Sequence, residues 1–190
     1  MKSFIEAEPF RLEEYEPPGG GPMFTADEAA EAENALLVTL GGLPRGSLLV
    51  VDTSGVKIAS DAARQLLRRA LLRLSTGELE DRYLVLDDLG RSEYNVQVML
   101  RGERLTMVER VGQSGAKLLG QVDPAMEQTY DFLRSVPSAT AGDVQRKFGL
   151  GTISAATNRL SNLSKLALAR RIDERPVAGG GREYVYAAVR

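Results

Sequence analysis

Two short apolar runs, separated by one helix-length segment, constrain the fold of this chain most. "SLLVVD" (47–52) and "YLVLDD" (83–88) are rich in Leu and Val, as buried strands are. After the turn "TSGV", Ser60 is predicted to be the N-cap of a helix. Apolar side chains follow at helical spacing on one face of that helix: Leu66, Leu67, Ala70 and Leu74. Strand, helix and strand at this spacing predict a right-handed unit with two parallel strands.

The flanking segments extend this unit into an α/β region with a mixed sheet. Thr25-Ala-Asp-Glu28 has the pattern of a capping box and predicts a helix through about Leu40. Residues 91–104 fit a short helix or a strand, and we favour a helix to about Leu100. Residues 105–120 predict a hairpin that turns near Gln113-Ser114-Gly115. Residues 1–24 are acidic and rich in Pro and Gly, which predicts a tail docked in part through Phe4, Ile5 and Phe10.

The composition excludes the kinds of catalysis and metal binding that require Cys or His. The 190 residues include no Cys and no His, which excludes disulfides, Cys-based zinc sites, iron–sulfur clusters and catalysis with a histidine base. Asp52 and the pair Asp87-Asp88 follow the two predicted parallel strands, where an open sheet binds ligands, so Mg²⁺ or phosphate is an alternative there. The Gly-rich stretches lack the Lys-Ser/Thr of a phosphate-binding loop. We expect no enzyme, no metal and no cofactor.

Charge divides the chain into two parts. Residues 1–123 carry 14 Lys/Arg and 20 Asp/Glu, whereas residues 124–190 carry 10 and 6. Asp123-Pro124 lies at the change, and a Pro suits the first turn of a helix. The predicted domains are therefore an α/β domain over 25–122 and a second domain over 123–190, and the basic charge of the second favours an anionic partner weakly.

The second domain contains a sharp break between two predicted helices. Thr140 caps the first, with Asp143 in the third position of a capping box. Gly149 follows, where a helix end often requires a left-handed residue. Thr152 can cap the next helix. Two helices joined in this way have the pattern of a helix-turn-helix.

The helix after the break has two different faces. At about 100° per residue, its apolar side chains are predicted to point inward: Ile153, Ala156, Leu160, Leu163 and Ala167. The outward face has small or polar side chains and no acid: Ser154, Ala155, Asn158, Arg159, Asn162 and Lys165. Asn suits adenine edges, and Arg suits guanine edges or phosphate.

A predicted hairpin follows, with a strand near Leu168–Ile172, a tip with Pro176 and Gly179-Gly180-Gly181, and a returning strand "REYVYAAV". Over residues 124–190 the chain resembles the winged helix-turn-helix of bacterial and archaeal transcription regulators, with Ala167 where Gly is commoner. The resemblance implies double-stranded DNA as partner. The residues expected at the DNA are Thr152, Ser154, Asn158, Arg159, Asn162, Lys165, Arg170, Arg175 and Arg182.

The segment "LLVVDTSGVKIASDAARQLLRRAL" resembles the STAS-type domain of anti-sigma-factor antagonists, in a divergent STAS-like form, over residues 25–122. The hairpin at 105–120 departs from the commoner ending of that fold. The resemblance implies a sensing or docking domain with a partner protein, and phosphorylation of a serine where the helix begins. Here the acceptor position holds Asp61 and Ser60 precedes it. Capping of the helix is the alternative role of both residues.

We therefore expect a cytoplasmic DNA-binding transcriptional regulator with no membrane segment, since no apolar run reaches the roughly 18 residues of a membrane helix. A single winged helix covers little DNA, so we expect a homodimer. The alternative is a protein-interaction adaptor of the anti-sigma-antagonist type, whose winged helix docks proteins.

Overall fold

A computed structural model describes residues 4–16, 23–112, 115–176 and 180–190. Within them the α/β class and a mixed sheet are confirmed. The helices are α1 (Ala26–Gly42), α2 (Ser60–Ser75), α3 (Glu93–Glu103), α4 (Pro124–Ser135), α5 (Ala141–Phe148) and α6 (Ile153–Lys165). The strands are β1 (Ile5–Glu6), β2 (Phe10–Arg11), β3 (Ser47–Asp52), β4 (Tyr83–Asp87), β5 (Thr106–Val111), β6 (Gly115–Gly120), β7 (Ala169–Pro176) and β8 (Arg182–Ala188). No helix in these ranges is both long enough and apolar enough to span a bilayer.

The main sheet places β3, β4 and β5 in parallel, with β6 antiparallel to β5. The register of β3 and β4 runs from Leu48 opposite Tyr83 to Asp52 opposite Asp87. The predicted parallel pair and the predicted hairpin are therefore confirmed. Residues 113–114 of the predicted hairpin turn lie outside the described residues.

The N-terminal stretch adds an edge to this sheet. β1 and β2 both pair in parallel with β3. The Ile5 amide donates to the Gly46 carbonyl at 3.0 Å. Phe10 is buried, whereas Ile5 is 52 % exposed. Residues 5–6 and 10–11 thus belong to the sheet, residues 12–15 form a short 3-10 helix, and the predicted linker at residues 17–22 lies outside the described residues.

The N-terminal ends of α1 and α2 differ in how their first amides are capped. The capping box at Thr25 and Glu28 is confirmed, with the Thr25 amide donating to the Glu28 carboxylate at 2.6 Å. The predicted cap of α2 is wrong by one position, because Ala59 is the N-cap and Ser60 is the first helical residue. The backbone of Ala59 is extended, and its carbonyl already accepts the Ala63 amide at 2.9 Å.

Two hydrophobic cores lie on opposite faces of the sheet. Leu49 and Val51 of β3 face the core that α1, α2 and α3 cover. Leu48 and Val50 face a second core, whose other members come mainly from residues 130–189. A parallel sheet must bury both faces. The C-terminal helices therefore supply the layer that the second face requires, and this core draws on both sides of Asp123-Pro124.

Candidate nucleic-acid interface

The break between α5 and α6 has the predicted chemistry. The Thr140 amide donates to the Asp143 carboxylate at 2.8 Å, and the Thr140 hydroxyl accepts the Asp143 amide at 3.3 Å. The hydrogen bond from the Thr140 amide to the carboxylate is the main cause of the lowered pKa of Asp143. Gly149 has a φ of 60°, and the Thr152 hydroxyl accepts the Ala155 amide at 3.2 Å. The capping box, the left-handed glycine and the second cap are all confirmed.

One face of α6 is fixed in the second core. Ala156, Leu160 and Leu163 are fully buried there, as predicted. Ile153 was predicted on the same face, and this is wrong, because its side chain is 46 % exposed. It is the first residue of α6, and Ala156 is the first whose side chain is fully buried. An apolar side chain thus stands at the exposed start of the helix.

The opposite face of α6 is open to solvent. It is formed by the predicted residues Ser154, Asn158, Asn162 and Lys165, all of which are exposed, and Thr152 is exposed just before them. No Asp or Glu occurs between Thr152 and Lys165. The structure therefore brings five of the predicted contact residues together on an acid-free surface.

Arg159 lies apart from this group, on the side of α6 that faces α5. Its guanidinium carbon is 5.5 Å from the centre of the Phe148 ring, and the residue is half-buried. Its Nη1 is buried and has no hydrogen-bond partner among the described residues. Phe148 in turn packs edge-on against Phe132 of α4, with ring centres 6.0 Å apart. Arg159 therefore helps to join the helices of the C-terminal part.

The structure corrects the expectation for Arg170. Its side chain is buried between the C-terminal part and the sheet, with the residue 4 % exposed, so it cannot reach a duplex. Its Nε lies 3.3 Å from Asp81 Oδ1, and its guanidinium carbon lies 5.3 Å from the centre of the Phe4 ring. Asp81 also accepts the Tyr83 hydroxyl at 2.8 Å. Arg170 is a link between the two parts of the chain.

The β7–β8 hairpin is anchored to the helices. The Glu183 carboxylate accepts the Gly142 amide at the start of α5 at 2.9 Å. Arg175 and Arg182 are both exposed near the tip, and Arg182 pairs with Glu174 at 3.2 Å. Residues 177–179 of the predicted tip lie outside the described residues.

Sequence reasoning missed Arg171. It is exposed on β7, its guanidinium carbon lies 4.2 Å from the centre of the Tyr184 ring, and its Nε donates to the Tyr186 hydroxyl at 3.2 Å. The two rings hold this cation beside Lys165 in one cleft. The register of the hairpin places Arg171 opposite Tyr186 and would have indicated this contact, but the sequence did not predict the register.

The carboxylates of the α/β part do not converge. Asp52 and Asp87 are register neighbours, but the Asp52 carboxylate accepts the Ser54 amide at 2.9 Å. Hydrogen bonds from Ser54 lower the pKa of Asp52. Across the described ranges, no three acidic side chains lie close enough together to hold a metal ion.

Ser60 is half-buried in the first turn of α2. The neighbouring Asp61 carboxylate accepts the Ala62 amide at 2.9 Å. Capping by these two residues is wrong, because Ala59 is the N-cap, whereas Asp61 in the first turn does complement the helix dipole. Phosphorylation of Ser60 stays a prediction.

Comparison of the chain with protein-family models, with curated proteins and with solved structures found no match.

Proposed function

We propose that this chain is a DNA-binding transcriptional regulator. Residues 124–190 act as a winged helix-turn-helix, and the preceding α/β residues act as a STAS-like sensing or docking domain. The observation that carries the proposal is the pair of faces on α6: Ala156, Leu160 and Leu163 are buried, whereas the opposite face is polar, exposed and free of acids. A helix of this kind can enter a major groove without repelling phosphate.

The roles of the side chains follow from their positions. Asn158 lies on the exposed face, and its amide can pair with an adenine edge in two hydrogen bonds. Ser154 and Asn162 flank it on the same face. Ile153, exposed at the start of α6, offers an apolar contact to a thymine methyl group. Together these side chains give the helix a preference among base pairs.

The cations around α6 supply affinity. Lys165 and Arg175 are exposed and meet the phosphate backbone, which adds affinity without choosing a sequence. Arg182 has the same role once it leaves Glu174. Arg159 lies over the Phe148 ring beside the exposed face of α6, so its removal is expected to weaken packing and, through the position of α6, binding.

The test is sequence selection by the full chain from a random duplex library, followed by titration of the recovered duplex. Asn158→Ala is expected to lose about 1–3 kcal/mol of binding free energy and to relax the preference at one position of the site. Asn34→Ala, which removes an exposed Asn from α1, is the matched control and should bind as the unaltered chain does. Equal binding and equal preference for both variants would refute the role of α6.

A protein-docking adaptor is the second candidate. Tyr94 and Val98 lie one turn apart on α3 and are 76 % and 45 % exposed, which favours a protein contact for the α/β part. That contact serves a regulator that forms a homodimer or binds a partner protein, and it serves an adaptor equally well. The adaptor predicts that the chain passes through immobilised duplex DNA at low salt, whereas the regulator is retained.

A further inference from the structure

A cleft of about 820 Å³ separates α6 from the α/β part. One wall consists of Asn158, Ser161 and Lys165 of α6, together with Arg171 of β7. The other wall is the loop between α2 and β4, residues 76–82, together with Arg45 from the loop before β3. The exposed face of α6 therefore continues into a cleft whose far side belongs to the other part of the chain.

The cleft carries an excess of positive charge, although residues 1–123 are acidic as a whole. Its lining contains four cationic side chains, Arg45, Arg82, Lys165 and Arg171. It contains two carboxylates, Glu80 and Asp81. The carboxylates are engaged by arginines. Glu80 pairs with Arg45 at 2.6 Å, and Asp81 pairs with Arg170 at 3.3 Å. An anion that enters the cleft meets neutralised acids and additional cations.

Arg45 is the cation on the far wall that is able to change partners. Its side chain is 68 % exposed, and its partner Glu80 is 66 % exposed, so the pair is a surface ion pair of small stability. Arg82, by contrast, is held by backbone, because its Nε donates to the Leu43 carbonyl at 2.8 Å. A phosphate beside α6 can take the place of Glu80 at Arg45 at little cost.

We propose that the α/β part contacts the DNA directly, and that Arg45 binds a backbone phosphate of the strand that borders α6. This inference rests on the proposed function of α6 and extends the DNA-binding surface across the cleft. The ligand of the cleft is duplex DNA, because the wall formed by α6 contains Asn158 and Lys165, which also belong to the exposed face of α6 proposed to contact DNA. The contact adds affinity without choosing a sequence.

The experiment titrates the unaltered chain and three variants with the selected duplex at several salt concentrations. Arg45→Ala is expected to bind about 3- to 10-fold more weakly at 0.1 M salt, and the slope of log K against log salt should fall by about 0.9, the value for one lost phosphate contact. Glu80→Gln releases Arg45 and is expected to bind more tightly than the unaltered chain. Melting temperatures establish that each variant is folded.

Arg64→Ala is the matched control. Arg64 is 61 % exposed and pairs with Glu103 at 2.9 Å, near the opposite end of α2 from the cleft, so its removal should leave binding unchanged. If Arg45→Ala and Glu80→Gln bind as the control does while Asn158→Ala alters sequence preference, the cleft contact is wrong and the role of α6 stands. If inorganic phosphate occupies the cleft at low concentration and duplex DNA is not bound, both proposals are overturned.

Discussion

Substitution of Leu133 by Ala tests whether the two parts of the chain share a core. Leu133 of α4 is fully buried and belongs to the core on the second face of the sheet. It also borders, with Leu48 of β3, a cavity of about 280 Å³ between the sheet and the C-terminal part. The substitution therefore removes a contact that both parts use.

The expected loss can be worked from this setting. Replacement of a buried Leu by Ala costs about 2–5 kcal/mol, and the cost depends on the volume of the cavity that is left. Because the pocket beside Leu133 is partly open to solvent, water or neighbouring side chains can fill the space that is left, and we expect the lower part of this range, about 2–3.5 kcal/mol. At 1.4 kcal/mol for each factor of ten, this corresponds to roughly 30- to 300-fold faster exchange of amides that open by global unfolding.

The assay is native-state hydrogen exchange with the slowest amides of β3, β4, α5 and α6 followed separately. If the core is shared, Leu133→Ala accelerates exchange in the sheet and in the C-terminal helices by the same factor. Ile153→Ala, at the exposed start of α6, should change the opening free energy obtained from exchange by less than about 0.5 kcal/mol in either part. Acceleration confined to α5 and α6, with β3 and β4 unchanged, would refute a shared core.

Three further perturbations test individual contacts by urea denaturation. Gly46 has a φ of 91°, and a Cβ there would strike the Arg170 guanidinium, whereas Gly55 has a φ of 77° and open space around it. Gly46→Ala should therefore lower the free energy of unfolding by at least about 1 kcal/mol more than Gly55→Ala does. Equal losses would contradict the packing of Arg170. The fully buried Tyr130 hydroxyl donates to a backbone carbonyl at 2.6 Å, so Tyr130→Phe should cost about 1–3 kcal/mol, and no loss would argue against that bond. The pKa of Asp143 is lowered in the folded state, so the stability that its carboxylate contributes is complete above the unfolded pKa of about 4 and is lost as the pH falls through the folded pKa. The difference in stability between the unaltered chain and Asp143→Asn should therefore shrink in acid. A difference that widens in acid would contradict the lowered pKa.

Local chemistry was sufficient to predict much of the C-terminal part. Thr140 and Asp143 determine one helix start, Gly149 determines the break, and Thr152 determines the next start, because each signal acts within about four residues. The parallel pairing of β3 and β4 also followed from their spacing. The helix ends depend on hydrogen bonds and backbone preferences that neighbouring residues decide, whereas the parallel pairing follows from the helix-length connection between the two strands.

Features that depend on distant contacts were missed. β1 and β2 are two residues each and have too little pattern to predict an edge strand. Arg170 was expected at DNA because it follows α6, but its partner Asp81 lies far away in the sequence. The continuous apolar run of β3 does indicate two covered faces, yet only the fold shows that α4 and its neighbours cover the second face.

The central claim, that the exposed face of α6 meets a duplex, has a direct measurement. The chain contains no cysteine, so Asn158→Cys provides one attachment point for a DNA-cleaving iron chelate, and Asn34→Cys on α1 provides the control. The account predicts that the label at position 158 cleaves a few adjacent base pairs of the bound duplex and that the label at position 34 leaves them intact. A bound duplex that is cleaved equally from both positions, or from neither, would contradict it.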